Sequence, residues 1–123
     1  MDIRPALTSL ADAFNAHDLD RVMSHFADDC VLDMPRGPHP WGARSQGKAN
    51  VRAALAGRFE GLPDVHYGEA QHLADEAAQT GISKWTLTGT TRDGRRIEVR
   101  GCDFYTFANG QVIAKDSYWK IVE

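Results

Sequence analysis

Cysteine is scarce in this chain of 123 residues, which contains only two. Cys30 and Cys102 show no Cys-x-x-Cys spacing, so we expect two reduced thiols rather than a disulfide or a metal site. The histidines also lack the spacing of metal ligands, and we expect four of them to be structural or solvent-facing: His17, His25, His66 and His72. The sequence therefore predicts no metal.

Long apolar runs and an excess of one charge are also missing. No run is long enough to span a membrane, and residues 1–5 lack the basic-then-apolar layout of a signal peptide. The net charge of -3 is spread over both signs, which argues against a nucleic-acid partner. Neither a GxGxxG motif nor a P-loop occurs, so no cofactor is predicted. We expect one cytoplasmic domain, residues 1–123, without a membrane partner.

Two turn dipeptides, Asp93-Gly94 and Asn109-Gly110, are the strongest local signals that the chain does contain. Each lies between runs of alternating apolar and polar residues, a pattern typical of β-hairpins. They predict a meander of three strands, over Gly81–Thr90, Arg95–Phe107 and Gln111–Val122. A curved antiparallel sheet of this kind, with helices upstream, can enclose a pocket.

The first half of the chain predicts helices. Apolar residues at helical spacing after Pro5 indicate a helix over Arg4–Ala16, and a second helix should begin at Asp18 and end at Asp28-Asp29. The other predicted elements are a strand over Cys30–Met34, a loop over Pro35–Gly47, a helix over Lys48–Phe59 and a strand over Val65–Leu73. This order of elements indicates an α+β fold.

Alternation along the second meander strand places Asp103 on the same face as Tyr105 and Phe107. Asp103 is the polar exception on an apolar face, and an unpaired carboxylate in such a wall costs several kcal/mol. Either Lys84, Lys115 or a backbone amide satisfies it, or it has a functional role. The residues alone leave both alternatives open.

Four segments carry a family resemblance: residues 14–20 (FNAHDLD), residues 26–31 (FADDCV), residues 107–112 (FANGQV) and the Tyr118-Trp119 ending. They resemble the nuclear transport factor 2-like superfamily, and most closely its SnoaL-like branch of polyketide cyclase and ketosteroid isomerase-like proteins. The resemblance implies a cone-shaped fold, in which N-terminal helices pack on a curved, mainly antiparallel sheet that encloses a pocket, commonly in a homodimer. The superfamily includes cyclases, isomerases, dehydratases, epoxide hydrolases and non-catalytic binding modules. The resemblance is therefore specific for the fold but not for one activity.

Comparison with ketosteroid isomerases within this superfamily singles out Asp103. Their oxyanion-hole aspartate falls on Asp103, in a strand similar to residues 103–107 here. Their general base and catalytic tyrosine fall on Met34 and Leu10, which cannot move a proton. Their mechanism therefore does not carry over as a whole.

Limonene epoxide hydrolases offer a second comparison, through the segment Asp33-Met34-Pro35. Their catalytic arginine and two aspartates fall on Lys84, Thr86 and Ser117, none of which matches in type. The resemblance nevertheless implies that Asp33 and these three side chains point into the cavity.

These considerations give a list of candidate site residues. Asp33 is our candidate general base, although an aspartate at the end of a strand often serves only as a turn cap. The expected substrate-binding residues are His39 and Trp41 in the proline-rich loop, which we expect to close over the pocket with Trp41 facing inward, together with Lys84, Thr86, Tyr105, Lys115, Ser117 and Trp119.

We interpret the chain as a small enzyme that performs cofactor-free acid-base chemistry on a hydrophobic carbonyl-bearing molecule. The expected reaction is of the cyclase, isomerase or dehydratase type. Asp33 would abstract a proton, and a protonated Asp103 would donate to the developing oxyanion with Lys84, Lys115 or Tyr105 in support. The alternative is a non-catalytic module that uses the same cavity to bind a hydrophobic ligand, or that serves in dimerisation.

Association is predicted from the opposite face of the sheet. Trp85, Leu87, Phe104 and Tyr118 alternate with the cavity positions and should form a large apolar patch on the outside. Burial of this patch against itself predicts a homodimer.

Overall fold

The N-terminal half of the chain supplies the helices of the fold and the C-terminal half most of its strands. The computed structural model describes residues 2–123. Its helices are α1 (Arg4–Asn15), α2 (Leu19–Met23) and α3 (Lys48–Gly61). Its strands are β1 (Phe26–Asp33), β2 (Arg44–Gln46), β3 (His66–Asp75), β4 (Thr80–Thr90), β5 (Arg96–Ala108) and β6 (Gln111–Trp119).

The strands form one open sheet in the order β2-β1-β6-β5-β4-β3. The β1–β6 pair is parallel and the other neighbours are antiparallel, so the sheet is mixed but mainly antiparallel. The buried residues of α1, α2 and α3 pack against one face, which we call the interior face, and the opposite face is called the outer face. The cone-shaped α+β fold predicted from the sequence is confirmed.

Helix α1 forms where the sequence predicts it. Pro5 lies in its first turn, where the missing backbone N–H leaves no bond unmade. Leu7, Leu10 and Phe14 lie on one side of the helix and are buried in the core. The predicted helix over Arg4–Ala16 is therefore confirmed to within one residue.

Helix α2 is shorter than predicted. The Asp18 side chain caps it by accepting a hydrogen bond from the Arg21 backbone N–H at 3.1 Å, as the sequence suggests. The helix ends at Met23, however, and Asp28-Asp29 belongs to β1. The prediction that the helix continues to Asp28-Asp29 is wrong, because the fully buried Phe26 pairs with β6 and draws the chain into the sheet.

The segment predicted as a loop, Pro35–Gly47, contains one short strand. Residues Arg44–Gln46 form β2, which pairs antiparallel with the end of β1. Backbone bonds from Met34 N–H to the Ala43 carbonyl and from Gly47 N–H to the Cys30 carbonyl, at 2.9 and 2.8 Å, close both ends of this pairing. The loop therefore turns back along β1.

Strand pairing assigns each side chain to one face of the sheet. Trp85 and Leu87 pair with Gly101 and Val99 and are buried in a second cluster on the interior face. The prediction that Trp85 and Leu87 lie outside is therefore wrong. Phe104 and Tyr118 do lie on the outer face, where they are 41% and 54% exposed.

Candidate functional site

A polar row crosses four strands on the interior face. In the register of the sheet, His72 of β3 lies opposite Ser83 of β4, Ser83 lies opposite Asp103 of β5, and Asp103 lies opposite Ser117 of β6. Paired residues share a face, so these four side chains project to the same side. We call this set, with Lys115, the polar row.

Asp103 is the centre of the polar row and accepts hydrogen bonds from three side chains. Trp85 Nε1 donates to Oδ2 at 2.9 Å, while Lys115 Nζ and Ser117 Oγ donate to Oδ1 at 3.0 and 2.5 Å. Asp103 is 5% exposed, and burial of a carboxylate is tolerable only when such partners satisfy it. These three donors occupy both oxygens of Asp103, so neither oxygen is free to contact a substrate in this structure.

Lys115 is the cation of this cluster and is itself 6% exposed. Its ammonium also donates to Ser117 Oγ at 2.8 Å, so the three groups form a closed triangle. The ammonium lies 5.5 Å from the ring centroid of Phe14 and 5.8 Å from that of Tyr105. Burial of both charges costs free energy, which the ion pair and its hydrogen bonds offset.

His72 lies at the β3 end of the polar row. Its Nδ1 is 2.8 Å from Ser83 Oγ, and its Nε2 makes no hydrogen bond within residues 2–123. Burial, reinforced by the positive charge of Arg4, lowers the pKa of His72 below its ordinary value despite Asp12 nearby. A neutral imidazole with one free nitrogen can accept a proton at neutral pH.

The space beside the polar row is small. A cavity of about 20 Å³ lies against His72, Ser83, Asp103 and Lys115, and it has room for a single water molecule. Small-molecule pockets measure roughly 300–1,000 Å³, so side chains fill most of the pocket that the family resemblance implies. Phe14, Tyr67, Trp85 and Tyr105 supply most of this filling.

Two tyrosines complete the wall of this cavity. Burial is the main cause that raises the pKa of the Tyr67 phenol far above its ordinary value, and burial also raises the pKa of Tyr105. Both phenols are therefore neutral and keep their O–H donors.

Asp33 lies on the outer face. It pairs with Asp116 of β6, whereas its neighbour Leu32 pairs with Lys115 on the interior face. Arg44 holds the carboxylate through Nε and Nη2, at 2.8 and 3.0 Å. The prediction that Asp33 and Asp103 line the same cavity is therefore wrong.

Lys84 and Thr86 also lie outside. They pair with Cys102 and Arg100, which alternate with Asp103 along β5 and face away from it. The prediction that both point into the cavity is wrong, and of the cations named as partners for Asp103 it is Lys115 that pairs with it.

The remaining meander candidates lie on the interior face. Tyr105 and Ser117 are buried there, as predicted. Trp119 is half-buried at the end of β6, with its ring edge-on to Trp85 at 6.3 Å and the Arg58 guanidinium 4.4 Å from its centroid. A role for these residues in substrate binding stays a prediction.

The proline-rich loop does not close over the interior. Trp41 stacks on His39 with ring centroids 4.8 Å apart, and the guanidinium of Arg44 lies 5.3 Å from the Trp41 ring. Trp41 is 44% exposed, and neither aromatic lines the interior cavity. The prediction that Trp41 faces inward is wrong, because its ring packs against His39 and Arg44 instead.

Sequence reasoning missed His72 and Ser83. The sequence does contain a signal for Ser83. Asp93 of the hairpin turn lies ten residues from both Ser83 and Asp103, so a hairpin centred there pairs these two residues. His72 then follows from the β3–β4 hairpin, in which Asp75 pairs with Thr80.

Two further findings concern metals and membranes. In the part of the chain that the structure describes, no group of three or more His, Cys, Asp or Glu side chains could hold a metal ion. No helix among residues 2–123 combines the length and apolar character needed to cross a bilayer.

The open mixed sheet, covered by helices on one face, makes this an α+β protein with a buried polar row on its interior face. Comparison with known proteins identifies its family. A family model described as a SnoaL-like domain matches residues 7–115. The chain therefore belongs to the SnoaL-like domain family. Among the curated proteins compared with it, none matches.

Solved structures confirm the fold. One is a protein from Pseudomonas putida provisionally named a polyketide cyclase, with a TM-score of 0.87, 16% identity, and coverage of 98% of this chain and 93% of that chain. Another is a nuclear transport factor 2-like protein of unknown function from Burkholderia pseudomallei, with a TM-score of 0.82, 18% identity and coverage of 94% and 88%. A third is TerC, co-crystallised with polyporic acid, with a TM-score of 0.79, 15% identity and coverage of 94% and 89%. At these identities the likeness shows the fold alone.

Proposed function

We propose that this protein catalyses cofactor-free proton transfer on a hydrophobic, carbonyl-bearing small molecule, as in a cyclisation, isomerisation or dehydration. The polar row supports the proposal most directly. The row and the adjoining Tyr67 and Tyr105 combine a neutral imidazole, a buried ammonium and two neutral phenols beside one cavity on an otherwise apolar face. Proton abstraction next to a carbonyl needs a base and a group that stabilises the resulting enolate, and the row offers both.

His72 takes the role of general base in this proposal, in place of Asp33. When Nδ1–H donates to Ser83 Oγ, the free lone pair lies on Nε2. The nitrogen that accepts the proton is then the one without a partner in the described structure.

Lys115 stabilises the enolate oxygen, with the phenols of Tyr67 and Tyr105 in support. Asp103 and Ser117 fix the direction of the Lys115 ammonium through the closed triangle of hydrogen bonds. A cation held in position before the reaction needs no reorganisation as charge develops on the substrate oxygen.

A substrate must enlarge the cavity to reach the polar row. The cavity borders Ala70 and His72 on β3, which is an edge strand of the sheet. The β3–β4 register is irregular between Gly68 and Gln71, so the ladder is interrupted beside this border. We propose that substrate enters by displacement of this part of β3.

Exchange of carbon-bound hydrogen in D₂O tests the proposal without knowledge of the final product. The protein is incubated with a panel of cyclic and aromatic ketones, and mass spectrometry measures deuterium next to the carbonyl. We expect protein-dependent exchange that His72→Gln slows by roughly 10²-fold or more, because general base catalysis contributes on that scale.

Two variants serve as controls in this experiment. His66→Gln changes an exposed histidine of the same strand, and Asp33→Asn changes the carboxylate on the outer face. Both should retain the wild-type exchange rate. Loss of exchange in Asp33→Asn, or full exchange in His72→Gln, would contradict the roles proposed.

A non-catalytic ligand-binding module is the second candidate function. It is favoured by the complete hydrogen bonding of the Asp103 carboxylate, which is typical of a structural ion pair. For this candidate, a hydrophobic ligand retained through purification should be found by mass spectrometry, with no deuterium exchange on any ketone of the panel.

A further inference from the structure

We propose that a groove at the beginning of β5 binds an amphiphilic anion, meaning a carboxylate, sulfonate or phosphate group carried on an aromatic ring or a short apolar chain. The groove has a volume of about 320 Å³. Its cationic residues are Arg36, Arg95, Arg96 and Lys120. We call it the arginine groove, and the inference does not rest on the reaction proposed above.

The groove exists because two neighbouring strands have unequal lengths. Strand β6 ends at Trp119, which pairs with Gly101, and the last backbone bond between the two chains joins Lys120 N–H to the Arg100 carbonyl at 2.8 Å. Strand β5 begins at Arg96, so its first residues have no β6 partner. The space that a longer β6 would occupy is open to a ligand.

The cations around this space form no close ion pair with the described residues, although the charges of Arg95 and Arg96 act on Asp93 and Asp64. None of the four has a carboxylate within 4.0 Å among residues 2–123, where the ion pairs involve Arg44, Arg52 and Lys115. Glu98 is the one acidic residue that lines the groove. The chain as a whole has a net charge of -3, so this concentration of positive charge runs against its composition.

Positive charges around a concave surface attract anions more strongly than the same charges on a convex surface. Arginine guanidinium groups also match the planar geometry of carboxylates and the oxygens of sulfonates and phosphates, which they bind through paired hydrogen bonds. The head group that the groove fits is therefore an oxyanion.

The groove also has apolar lining residues, which fit the body of such a ligand. The apolar lining residues are Ile97, Val99, Trp119, Ile121 and Val122. Trp119 is half-buried and offers an aromatic surface for stacking. A volume of about 320 Å³ lies at the lower end of the range for small-molecule sites and suits one or two fused rings.

A matched pair of dyes tests the arginine groove. 1-Anilinonaphthalene-8-sulfonate carries an apolar ring system and one sulfonate, whereas N-phenyl-1-naphthylamine has the same rings without the charge. We expect the sulfonate dye to bind with one site per chain, and the neutral dye to bind much more weakly. The double variant Arg95→Gln/Arg96→Gln should raise the Kd of the sulfonate dye roughly tenfold or more, because it removes two charge-assisted hydrogen bonds.

Two control variants locate the dye. Arg52→Gln removes an exposed arginine far from the groove, where it pairs with Asp20, and should change the Kd by less than about twofold. Phe104→Ser removes an apolar side chain of the outer face and should also leave the Kd unchanged. Equal binding of both dyes, an unchanged Kd in the double arginine variant, or loss of binding in Phe104→Ser would each overturn the inference.

Discussion

The ion pair between Asp103 and Lys115 dominates the energetics of individual residues in this protein. Both partners are buried, and each depends on the other for compensation of its charge. Replacement of one charged residue therefore lowers the free energy of unfolding by more than the intact pair raises it, because the remaining ion is left in an apolar environment.

We expect Lys115→Met to lower the free energy of unfolding by about 3–5 kcal/mol, since Asp103 would lose its cationic partner while it stays buried. The matched control is Lys84→Met, which changes an exposed lysine of the outer face and should alter stability by less than about 0.5 kcal/mol. Urea denaturation measures both. A Lys115→Met protein as stable as wild type would show that the pair is not buried in solution.

The pH dependence of stability should follow two histidines. Burial is the main cause that lowers the pKa of both His25 and His72, with Arg21 and Arg4 as the second cause. A histidine with a lowered pKa in the folded state binds fewer protons there than in the unfolded chain, whose histidines titrate near 6.5.

Stability from these two groups is therefore fully present above pH 6.5 and decreases as the pH falls through and below that value. We expect the urea midpoint to fall between pH 7.5 and 5.5, and to fall less in the double variant His25→Gln/His72→Gln. An equal pH dependence of wild type and double variant would contradict this assignment.

At the scale of elements, two glycines have opposite roles. A Cβ atom at Gly101 would lie 2.3 Å from the Tyr118 carbonyl oxygen and 2.6 Å from the Trp85 ring, so β5 can pass this point only without a side chain. A Cβ atom at Gly57 of α3 would meet nothing within 4 Å.

We therefore expect Gly101→Ala to destabilise the protein by about 1–3 kcal/mol through overpacking. Gly57→Ala should stabilise it by about 0.5–1 kcal/mol, because alanine favours the helix. Thermal denaturation of the two variants is the measurement. A change of the same sign in both would mean that helix and strand propensity, rather than the Trp85 contact, decides the outcome.

Strand positions were predictable from the sequence because the turns Asp93-Gly94 and Asn109-Gly110 specify where each hairpin reverses. The face of Asp103 followed correctly from alternation along β5. Lys84 was assigned to the wrong face because a distant enzyme family guided its placement, although its pairing with Cys102 follows from the same hairpin.

The irregularities of β3 and β6 could not be predicted. Strand β6 has one more residue than β5 between the Phe107–Val112 and Thr106–Ala114 pairs. The extra residue in β6 is Ile113, which carries no local signal for a bulge. Packing of the whole sheet selects such a position, so alternation along one strand does not reveal it.

At the scale of the whole molecule, the outer face suggests self-association. Phe104 and Tyr118 lie edge to face with ring centroids 5.9 Å apart and are largely exposed. The surface on one side of this aromatic pair is basic, with Lys84, Arg100 and Lys120. The surface on its other side contains Asp116 and the Asp33–Arg44 pair.

We propose a homodimer whose twofold axis passes near Phe104 and Tyr118, because that arrangement sets the basic side of one copy against the acidic side of the other. Sedimentation velocity at micromolar concentration should report a dimer for wild type. Phe104→Glu should report a monomer, whereas Gln111→Glu, an equal charge change at an exposed hairpin end, should not. A monomeric wild type would contradict the proposal.

The bulges of β3 and β6 have a consequence at the level of the gene. Tyr67 and His72 differ in parity yet share the interior face, because β3 contains one extra residue between Gly68 and Gln71. Val112 and Lys115 share it for the same reason. Loss of one codon, for Glu69 or for Ile113, would restore regular alternation. It would leave His72 opposite Ser83, and Lys115 with Ser117, on the interior face. At either bulge, a single in-frame deletion would therefore keep the site residues on the interior face.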